Sequence, residues 1–206
     1  MIVIGLTGGI GTGKSEVTSV LAGLGASVLD ADVVGHEVYR KGTEGHSAVI
    51  ERFGPGVVGA DGEIDRAALG KVVFEDPGAL AGLNSLVHPR IRKAVHERLG
   101  ALRRSGAEVV VLEAAVLLEV GWEDMVDEVW AVEAPWEAVV TRLRPRFGGD
   151  ERAIEVRAGA QMKQEDRRGA ADVTILNDGS IDRLRRRVER VYNTRIESAR
   201  ERTSDR

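Results

Sequence analysis

The 206-residue sequence contains no cysteine, which excludes disulfide bonds and metal sites built on thiolates. It also has no apolar run near the roughly 20 residues that a transmembrane helix needs, and its first residues lack the basic segment of a secretory signal. These absences are typical of a protein that stays in a reducing compartment. The sequence therefore predicts a cytoplasmic protein that does not interact with membranes.

Neither sign of charge is in large excess. The formal net charge is −4 at pH 7 and the pI is about 5.7, whereas a protein that attracts nucleic acid through its overall field carries a strong positive excess. We therefore expect no nucleic-acid partner. Hydrophobic residues make up 43% of the chain, enough to bury a substantial core. The length favours one domain over residues 1–206, which we expect to act as a monomer or small homo-oligomer.

Five short apolar runs, rich in β-branched residues, predict β-strands at 2–7, 26–30, 108–114, 127–134 and 172–176. The runs do not alternate cleanly between apolar and polar residues, which is typical of parallel strands covered by helices on both faces. Helix-length segments separate them. The sequence therefore predicts an α/β fold with a parallel five-stranded sheet.

The stretch "GGIGTGKS" follows the first predicted strand and opens a helical pattern. Gly8, Gly13, Lys14 and Ser15 satisfy the pattern G-x-x-x-x-G-K-[ST]. Glycines let the backbone N–H groups of such a loop point at a phosphate, the lysine reaches the terminal phosphates, and the serine hydroxyl can ligate Mg²⁺. The motif in this context predicts a P-loop NTPase with a three-layer fold.

Acidic residues end two of the predicted strands. Asp30 and Asp32 close the second run, and we expect the intervening helix to return the chain beside the first strand, which would place both near the P-loop. A carboxylate there could accept a proton from a hydroxyl acceptor or arrange magnesium, or both residues could simply cap the next helix. Glu113 closes the third run, where P-loop proteins keep the acid that orients magnesium, or it is only a polar strand end.

About eighty residues separate the second and third runs, too many for one crossover helix. Two helical patterns lie in this segment, and Pro89 is predicted to restart a helix after His88. The pattern predicts an inserted helical substrate-binding region at about 36–105. The protein's three tryptophans are expected in the core: Trp122, Trp130 and Trp136.

A second break follows the fourth run, where a proline and a glycine pair interrupt "RLRPRFGGDERAIEVR" before a charged helix. We expect a mobile lid over about 141–158. Arg142, Arg144 and Arg146 bracket the proline, and such guanidiniums could close over a triphosphate. The alternative is a solvated basic face.

Taken together, the motifs resemble those of the dephospho-CoA kinase family over about residues 2–192. The segment "AAVLLEVGW" is also similar to the kinase half of bifunctional CoA synthases. The resemblance rests on stretches in this order: "GLTGGIGTGKS", "LDAD", "FGPGVVGADGEIDRAALGKVVF", "LNSLVHPRI", "LLE", "TRLRPR", "QMKQEDR" and "ADVTILNDGS".

The resemblance implies ATP-dependent phosphorylation of the ribose 3'-hydroxyl of dephospho-CoA, the last step of coenzyme A synthesis, with Mg²⁺ as cofactor. It implies that Asp32 is the general base, with Lys14 and Arg146 as further catalytic residues. Magnesium would involve Ser15 and Glu113. The implied acceptor-binding residues are Asp32, Arg66, His88, Pro89, Ile91 and Glu119. The implied ATP-binding residues are Gly9, Ile10, Gly11, Thr12, Gly13, Lys14, Ser15, Arg142, Arg146, Asn177 and Gly179.

The sequence departs from the family pattern at three positions. Ala115 stands where the family often has proline, and Glu113 where it often has aspartate. Phe147 follows Arg146, where an aspartate is usual. The first two changes bear on the magnesium site and the third on the hinge of the lid.

Two other functions share parts of this pattern. Another P-loop kinase, acting on a nucleotide or small metabolite, would have the same loop and lid but a different acceptor region. A nucleotide-gated switch would need loops that sense the γ-phosphate and a surface for a partner. The sequence contains neither an N-K-x-D run, which reads guanine, nor a large apolar patch.

Overall fold

The computed structural model describes residues 1–204, and within them five strands form one sheet. The strands are β1 (Ile2–Gly8), β2 (Ser27–Asp30), β3 (Val109–Glu113), β4 (Glu128–Glu133) and β5 (Val173–Leu176). β1 pairs in parallel with β3 and β4, and β4 pairs in parallel with β5. The predicted α/β class and the five predicted strands are confirmed.

The helices lie between and after the strands. They are α1 (Lys14–Gly23), α2 (Ala31–Glu37), α3 (Glu44–Phe53), α4 (Arg66–Glu75), α5 (Pro77–Arg104), α6 (Trp136–Leu143), α7 (Glu151–Gly159), α8 (Gln164–Ala170) and α9 (Ile181–Ser204). No helix in the described part of the chain has both the length and the apolar composition needed to cross a membrane.

The order of strands across the sheet is β2-β3-β1-β4-β5. The prediction that the chain returns beside the first strand is therefore wrong, because β3 lies between β1 and β2. The connection through α1 skips one position in the sheet, and β3 fills it only after the long segment of helices. As a result β1, which leads into the P-loop, is the central strand with a neighbour on each side.

The chain divides into two compact units, Met1–Leu29 with Leu102–Arg206, and Asp30–Ala101. The first unit contains the sheet and its core, in which Leu6 and Trp130 are fully buried. Helix α9 covers this core with residues spaced four apart, Leu184, Val188, Tyr192 and Ile196. Burying an aliphatic side chain of this size contributes about 1.5–3 kcal/mol, so this stripe fixes the arginine-rich helix to the sheet.

Two aspartates fix the register of neighbouring strands. The Asp127 carboxylate, just before β4, accepts a hydrogen bond from Val3 N on β1 at 2.7 Å. The Asp172 carboxylate, just before β5, accepts one from Val129 N on β4 at 2.8 Å. Hydrogen bonds to a charged acceptor contribute about 1.5–3 kcal/mol, so a slip of either strand would be costly.

The second unit, residues 30–101, has its own apolar core. That core is formed by Val49, Val57, Ile64, Leu69, Val73 and Ala79. The prediction that Pro89 restarts a helix is wrong, because α5 runs through it from Pro77 to Arg104. Val87 and Val95 are buried on either side of the proline. The Arg90 guanidinium donates to Leu86 O at 2.6 Å, within the turn that the proline disturbs.

Gly5 in β1 lies where the sheet has no room for a side chain. A Cβ at this position would lie 2.6 Å from Leu117 Cδ1 and 3.1 Å from Val126 Cγ1. We expect Gly5→Ala to lower the free energy of unfolding by about 1–3 kcal/mol through overpacking. Urea unfolding followed by circular dichroism would measure this.

Gly23→Ala is the matched control, because Gly23 ends α1 and a Cβ there meets no atom within 4 Å. This change should leave stability equal or raise it by up to about 1 kcal/mol, since alanine favours the helix. An unchanged urea midpoint in Gly5→Ala would show that β1 and the segment around Leu117 are not packed this closely.

Candidate active site

The P-loop connects the central strand β1 to α1, as the sequence predicts. Gly11 and Gly13 have φ angles of 74° and 97°, in the left-handed region that favours glycine. A Cβ at Gly13 would also lie 2.3 Å from Asn177 Nδ2. The Thr12 hydroxyl donates to Gly9 O at 2.8 Å and closes the loop. Both the backbone angles and the lack of space therefore require the glycine pattern.

Lys14 is the first residue of α1, and its ammonium donates to Gly8 O at 2.8 Å and to Gly9 O at 3.4 Å. No side chain caps the helix, because its N-cap residue is Gly13. The first N–H groups of a helix carry partial positive charge and suit an anion. Lys14 adds a full charge beside them, so the loop is built to bind phosphate.

Arg142 and Asn177, both predicted to bind ATP, meet at the P-loop backbone. Arg142 Nη1 donates to Gly11 O at 3.1 Å and Thr12 O at 3.3 Å. The buried Asn177 amide donates to Thr12 O at 2.9 Å. Arg142 Nη2 donates to Asn177 O at 3.4 Å. These contacts hold the loop in shape. Gly179 is exposed two residues beyond.

Glu113 ends β3, and its carboxylate accepts a hydrogen bond from the Thr18 hydroxyl at 2.6 Å. Ser15 lies three residues before Thr18, on the same face of α1, and is exposed. The two predicted metal residues therefore offer a hydroxyl and a carboxylate, the oxygen ligands that Mg²⁺ prefers. Within residues 1–204, no cluster of three or more His, Cys, Asp or Glu side chains could hold a metal by itself.

The predicted lid consists of the end of α6, a series of turns and α7. Gly148 and Gly149 have positive φ angles, and the Asp150 carboxylate caps α7. Arg144 pairs with Glu151 across the turns. The predicted break and charged helix are confirmed, and Arg146 lies exposed in the turns. Movement of this segment stays a prediction.

Phe147 packs on a buried cluster formed by α6 and α7, to which Ile10 of the P-loop also contributes. The cluster residues are Ala134, Val139, Leu143 and Ile154. The aromatic ring that replaces the usual aspartate therefore ties the turns after α6 to an apolar cluster that reaches the P-loop.

A buried arginine beside the P-loop is missing from the residues predicted by sequence. Arg167 in α8 is only 3% exposed and pairs with Glu119 at 3.3 Å. Glu119 also accepts a hydrogen bond from Met162 N at 3.1 Å. Gln161 accepts one from Ile10 N at 2.8 Å. The only signal in the sequence is the stretch "QMKQEDR", which contributes to the resemblance but gives Arg167 no role.

A cavity of about 420 Å³ lies between the P-loop and this segment, and Arg167 lines it together with Gly9, Ile10, Thr12 and Gln161. Trp136 also lines the cavity and is 42% exposed, so the prediction that it belongs to the core is wrong. It is the first residue of α6, whose buried face is formed by Val139, Val140 and Leu143. Trp122 and Trp130 are buried, as predicted.

In the second unit, Asp30 caps α2 by accepting hydrogen bonds from Asp32 N at 2.8 Å and Val33 N at 3.1 Å. The capping alternative is therefore confirmed for Asp30. It is wrong for Asp32, which lies in the first turn of the helix with its side chain exposed. Removing the Asp32 charge would leave the cap intact.

A second cavity, of about 380 Å³, lies in the second unit and is lined by residues of both charges. They are His36, Tyr39, Arg40, Glu63, Ile64 and Arg66. Burial, and then the charge of Arg66, lower the pKa of His36, and Asp32 and Asp30 oppose this. Burial raises the pKa of Tyr39, while Arg66 lowers it. Both side chains are therefore neutral near pH 7. The charged residues of the lining are two arginines and one glutamate, so the lining carries a net positive charge.

His88, Pro89 and Ile91 lie within about one turn of α5 in the second unit. Ile91 packs on α2, because its Cδ1 lies 3.3 Å from the position of a Cβ at Gly35. Pro89 is exposed and His88 is partly buried. The described contacts of Ile91 are those of a packing residue.

Burial lowers the pKa of His88 below its ordinary value of 6.5. The unfolded chain then binds the proton more readily than the folded protein does, so the contribution of this group to stability is complete above pH 6.5 and is lost as the pH falls below it. We expect His88→Gln to reduce the fall in urea midpoint between about pH 7.5 and pH 5.5. An equal fall in variant and parent would show that the His88 ring is solvated.

Known proteins share the sequence and the fold of this chain. The family model described as "Dephospho-CoA kinase" matches residues 2–183. The dephospho-CoA kinase of Geobacter sulfurreducens is 43% identical over 196 residues, which cover 95% of this chain and 100% of that protein. The crystal structure of TT1252 from Thermus thermophilus superposes with a TM-score of 0.80 at 36% identity, covering 94% of this chain and 97% of that one.

The structure of a dephospho-CoA kinase from Campylobacter jejuni has the same fold, with a TM-score of 0.73 at 24% identity over 96% of this chain and 98% of that one. The predicted P-loop fold is thus confirmed. The match of the family model over most of the chain, and the Geobacter relative that the chain covers completely, together show that this chain belongs to the dephospho-CoA kinase family.

Proposed function

We propose that the protein transfers the γ-phosphoryl group of ATP to the ribose 3'-hydroxyl of dephospho-CoA, giving coenzyme A and ADP. The observation that carries this proposal is a complete P-loop, with Lys14 on its carbonyls, in a chain that the family model matches over residues 2–183. The acceptor is the one named for its relatives, including the Geobacter protein.

In this proposal the P-loop binds the phosphates of ATP. The N–H groups at the start of α1 and the Lys14 ammonium neutralise charge on the β- and γ-phosphates. Arg142 and Asn177 keep the loop in its binding shape through the carbonyls of Gly11 and Thr12, and their position supports a nucleotide beside them. Arg146, exposed in the turns after α6, is proposed to reach the triphosphate when the lid closes.

Mg²⁺ is proposed to be held by Ser15 and Glu113 together with the phosphates of ATP. When bound, it would neutralise charge that develops on the transferring phosphoryl group. The contact between Thr18 and Glu113 fixes the orientation of the carboxylate, so Glu113 would hold the metal with a preoriented side chain.

The acceptor is proposed to bind in the unit of residues 30–101, which matches the insertion predicted at about 36–105. Its diphosphate is anionic, and the 380 Å³ cavity offers Arg40 and Arg66 together with the neutral His36 of α2. Asp32 is the proposed general base for the 3'-hydroxyl. Helix α5, which contains His88, Pro89 and Ile91, is proposed to support the acceptor site. We further propose a cytoplasmic kinase that acts on these two small molecules alone.

A coupled assay of ADP release tests the function. Dephospho-CoA, AMP, adenosine, pantetheine and shikimate would be compared as acceptors with Mg-ATP, and mass spectrometry with 3'-nucleotidase digestion would locate the new phosphate. We expect turnover with dephospho-CoA only, and none without Mg²⁺. A higher specificity constant for AMP or shikimate would assign the protein to another P-loop kinase function.

A further inference from the structure

The Arg167 guanidinium is buried with one donor unused. Its side chain is 3% exposed, and its Nε is one of two buried side-chain nitrogens or oxygens without a hydrogen-bond partner in the described part of the chain. A buried N–H of a charged group without a partner is destabilising, because it has given up its water. Most buried polar groups have a partner, so this one needs an explanation, and a catalytic role or a bound ion would supply it.

One carboxylate holds this guanidinium, and two neighbouring contacts fix that carboxylate and helix α8. Arg167 Nη2 pairs with Glu119, and the same carboxylate oxygen accepts from Met162 N. One helical position further on, Arg168 pairs with the buried Glu133 at 2.5 Å and anchors α8 to the end of β4. Glu119 is therefore engaged within the first unit, in contacts that orient Arg167.

The guanidinium faces the part of the P-loop that precedes Lys14. Arg167 Nη1 lies 3.9 Å from the position of a Cβ at Gly9, and Arg167 lines the 420 Å³ cavity with Gly9 and Ile10. The Lys14 ammonium contacts Gly9 O at 3.4 Å. Two cations thus approach the same turn of the loop, Lys14 from α1 and Arg167 from α8.

An anion is the ligand that this arrangement suits. A planar guanidinium held by one carboxylate can still offer donors to phosphate oxygens, and arginine binds such groups in a fork geometry. The cavity lies beside the loop that is proposed to bind ATP. The anion expected closest to Arg167 is therefore the terminal phosphate of the nucleotide. Gln161, which accepts from Ile10 N, links the same segment to the loop.

We propose that Arg167 binds the γ-phosphoryl group of ATP and stabilises its charge during transfer, with Glu119 as the positioning residue that orients it. This inference rests on the proposed function only in taking ATP as the phosphoryl donor. It also gives Glu119 a role different from the acceptor contact implied by the resemblance.

The direct test compares two nucleotides that differ in the γ-phosphate. Affinities for the non-hydrolysable ATP analogue AMP-PNP and for ADP would be measured by isothermal titration calorimetry in Arg167→Gln. We expect AMP-PNP affinity to fall about tenfold or more, as for loss of a charge-assisted hydrogen bond, and ADP affinity to change less than twofold. We also expect kcat to fall by about 10²-fold or more. An equal loss of AMP-PNP and ADP affinity would overturn the proposal.

Arg168→Gln is the matched control, because it removes an arginine from the same helix and also leaves a carboxylate, Glu133, without its guanidinium. We expect the ratio of AMP-PNP to ADP affinity to stay as in the parent. A ratio that falls equally in both variants would show that Arg167 only stabilises α8. If Arg167→Gln does not fold, Arg167→Lys keeps the charge but loses the fork, and a several-fold selective loss of AMP-PNP affinity is expected.

Glu119→Gln separates the two roles of this carboxylate. As a positioning residue it should lower kcat and AMP-PNP affinity and leave the KM for dephospho-CoA unchanged. A raised KM with unchanged kcat would place Glu119 in the acceptor site. The affinity measurements need no acceptor, so a selective loss of AMP-PNP binding in a protein inactive on dephospho-CoA would support Arg167 and refute only the proposed acceptor.

Discussion

Replacing Lys14 by alanine is expected to lower kcat/KM by about 10³-fold or more, since phosphoryl transfer depends almost entirely on positioning and charge neutralisation. The ammonium lies across the loop on Gly8 O and Gly9 O, where the terminal phosphates are expected to bind. No other described side chain brings a full charge to this position from α1. Coupled ADP release at varied ATP and saturating dephospho-CoA would measure the loss of kcat/KM for ATP.

The fold should survive this change. Lys14 is the first residue of α1, and the helix is fixed by the fully buried Val17 and Leu21 rather than by the lysine. An unchanged far-ultraviolet circular dichroism spectrum and urea midpoint would establish this. Lys14→Met, which keeps the length of the side chain, should be as inactive as Lys14→Ala. Near-parental turnover in either variant would show that the P-loop takes no part in the reaction.

Replacing Asp32 by asparagine is expected to lower kcat by about 10²–10⁴-fold, the usual contribution of a general base. Asparagine keeps the size and most of the hydrogen bonding while it removes the carboxylate that could take the ribose proton. The helix should be undisturbed, because Asp30 provides the cap and bonds to the backbone N–H groups of residues 32 and 33. Binding of a fluorescent ATP analogue should change little.

Asp30→Asn distinguishes the two aspartates, since asparagine also caps helices well. A larger loss of kcat in Asp30→Asn than in Asp32→Asn would move the base assignment to Asp30. Loose transition states for phosphoryl transfer need little help from a base. A loss of only about tenfold in Asp32→Asn would therefore favour a positioning role over proton abstraction.

The strands could be predicted from the sequence because their signal is local. Each is a run of β-branched apolar residues that needs cover on both faces, and the buried side chains of β3 show this cover. The order of strands could not be predicted in the same way. The position of β3 between β1 and β2 depends on pairing between residues about a hundred positions apart, such as Ile2 with Val109.

The same difference between local signals and distant contacts decides which site residues could be predicted. Lys14 and Ser15 could be identified because the motif and its phosphate chemistry lie within eight residues. Arg167 sits in a charged segment that looks solvated when read along the chain. Its burial arises from Glu119, 48 residues earlier, and from a P-loop still further away. The prediction at Pro89 is wrong for a related reason, because burial of Val87 and Val95 outweighs the local preference of proline to end a helix.

The central position of β1 has a consequence for synthesis on the ribosome. β1 is made first, but both strands that pair with it, β3 and β4, begin only at residues 109 and 128. At about 5–20 residues per second, the first of these partners is translated roughly 5–20 s later. Residues 30–101 form a compact unit within one continuous stretch, so they can fold during this interval. Among the strands of the sheet, β1 therefore remains longest without a pairing strand in the nascent chain, and we expect this apolar segment to bind chaperones.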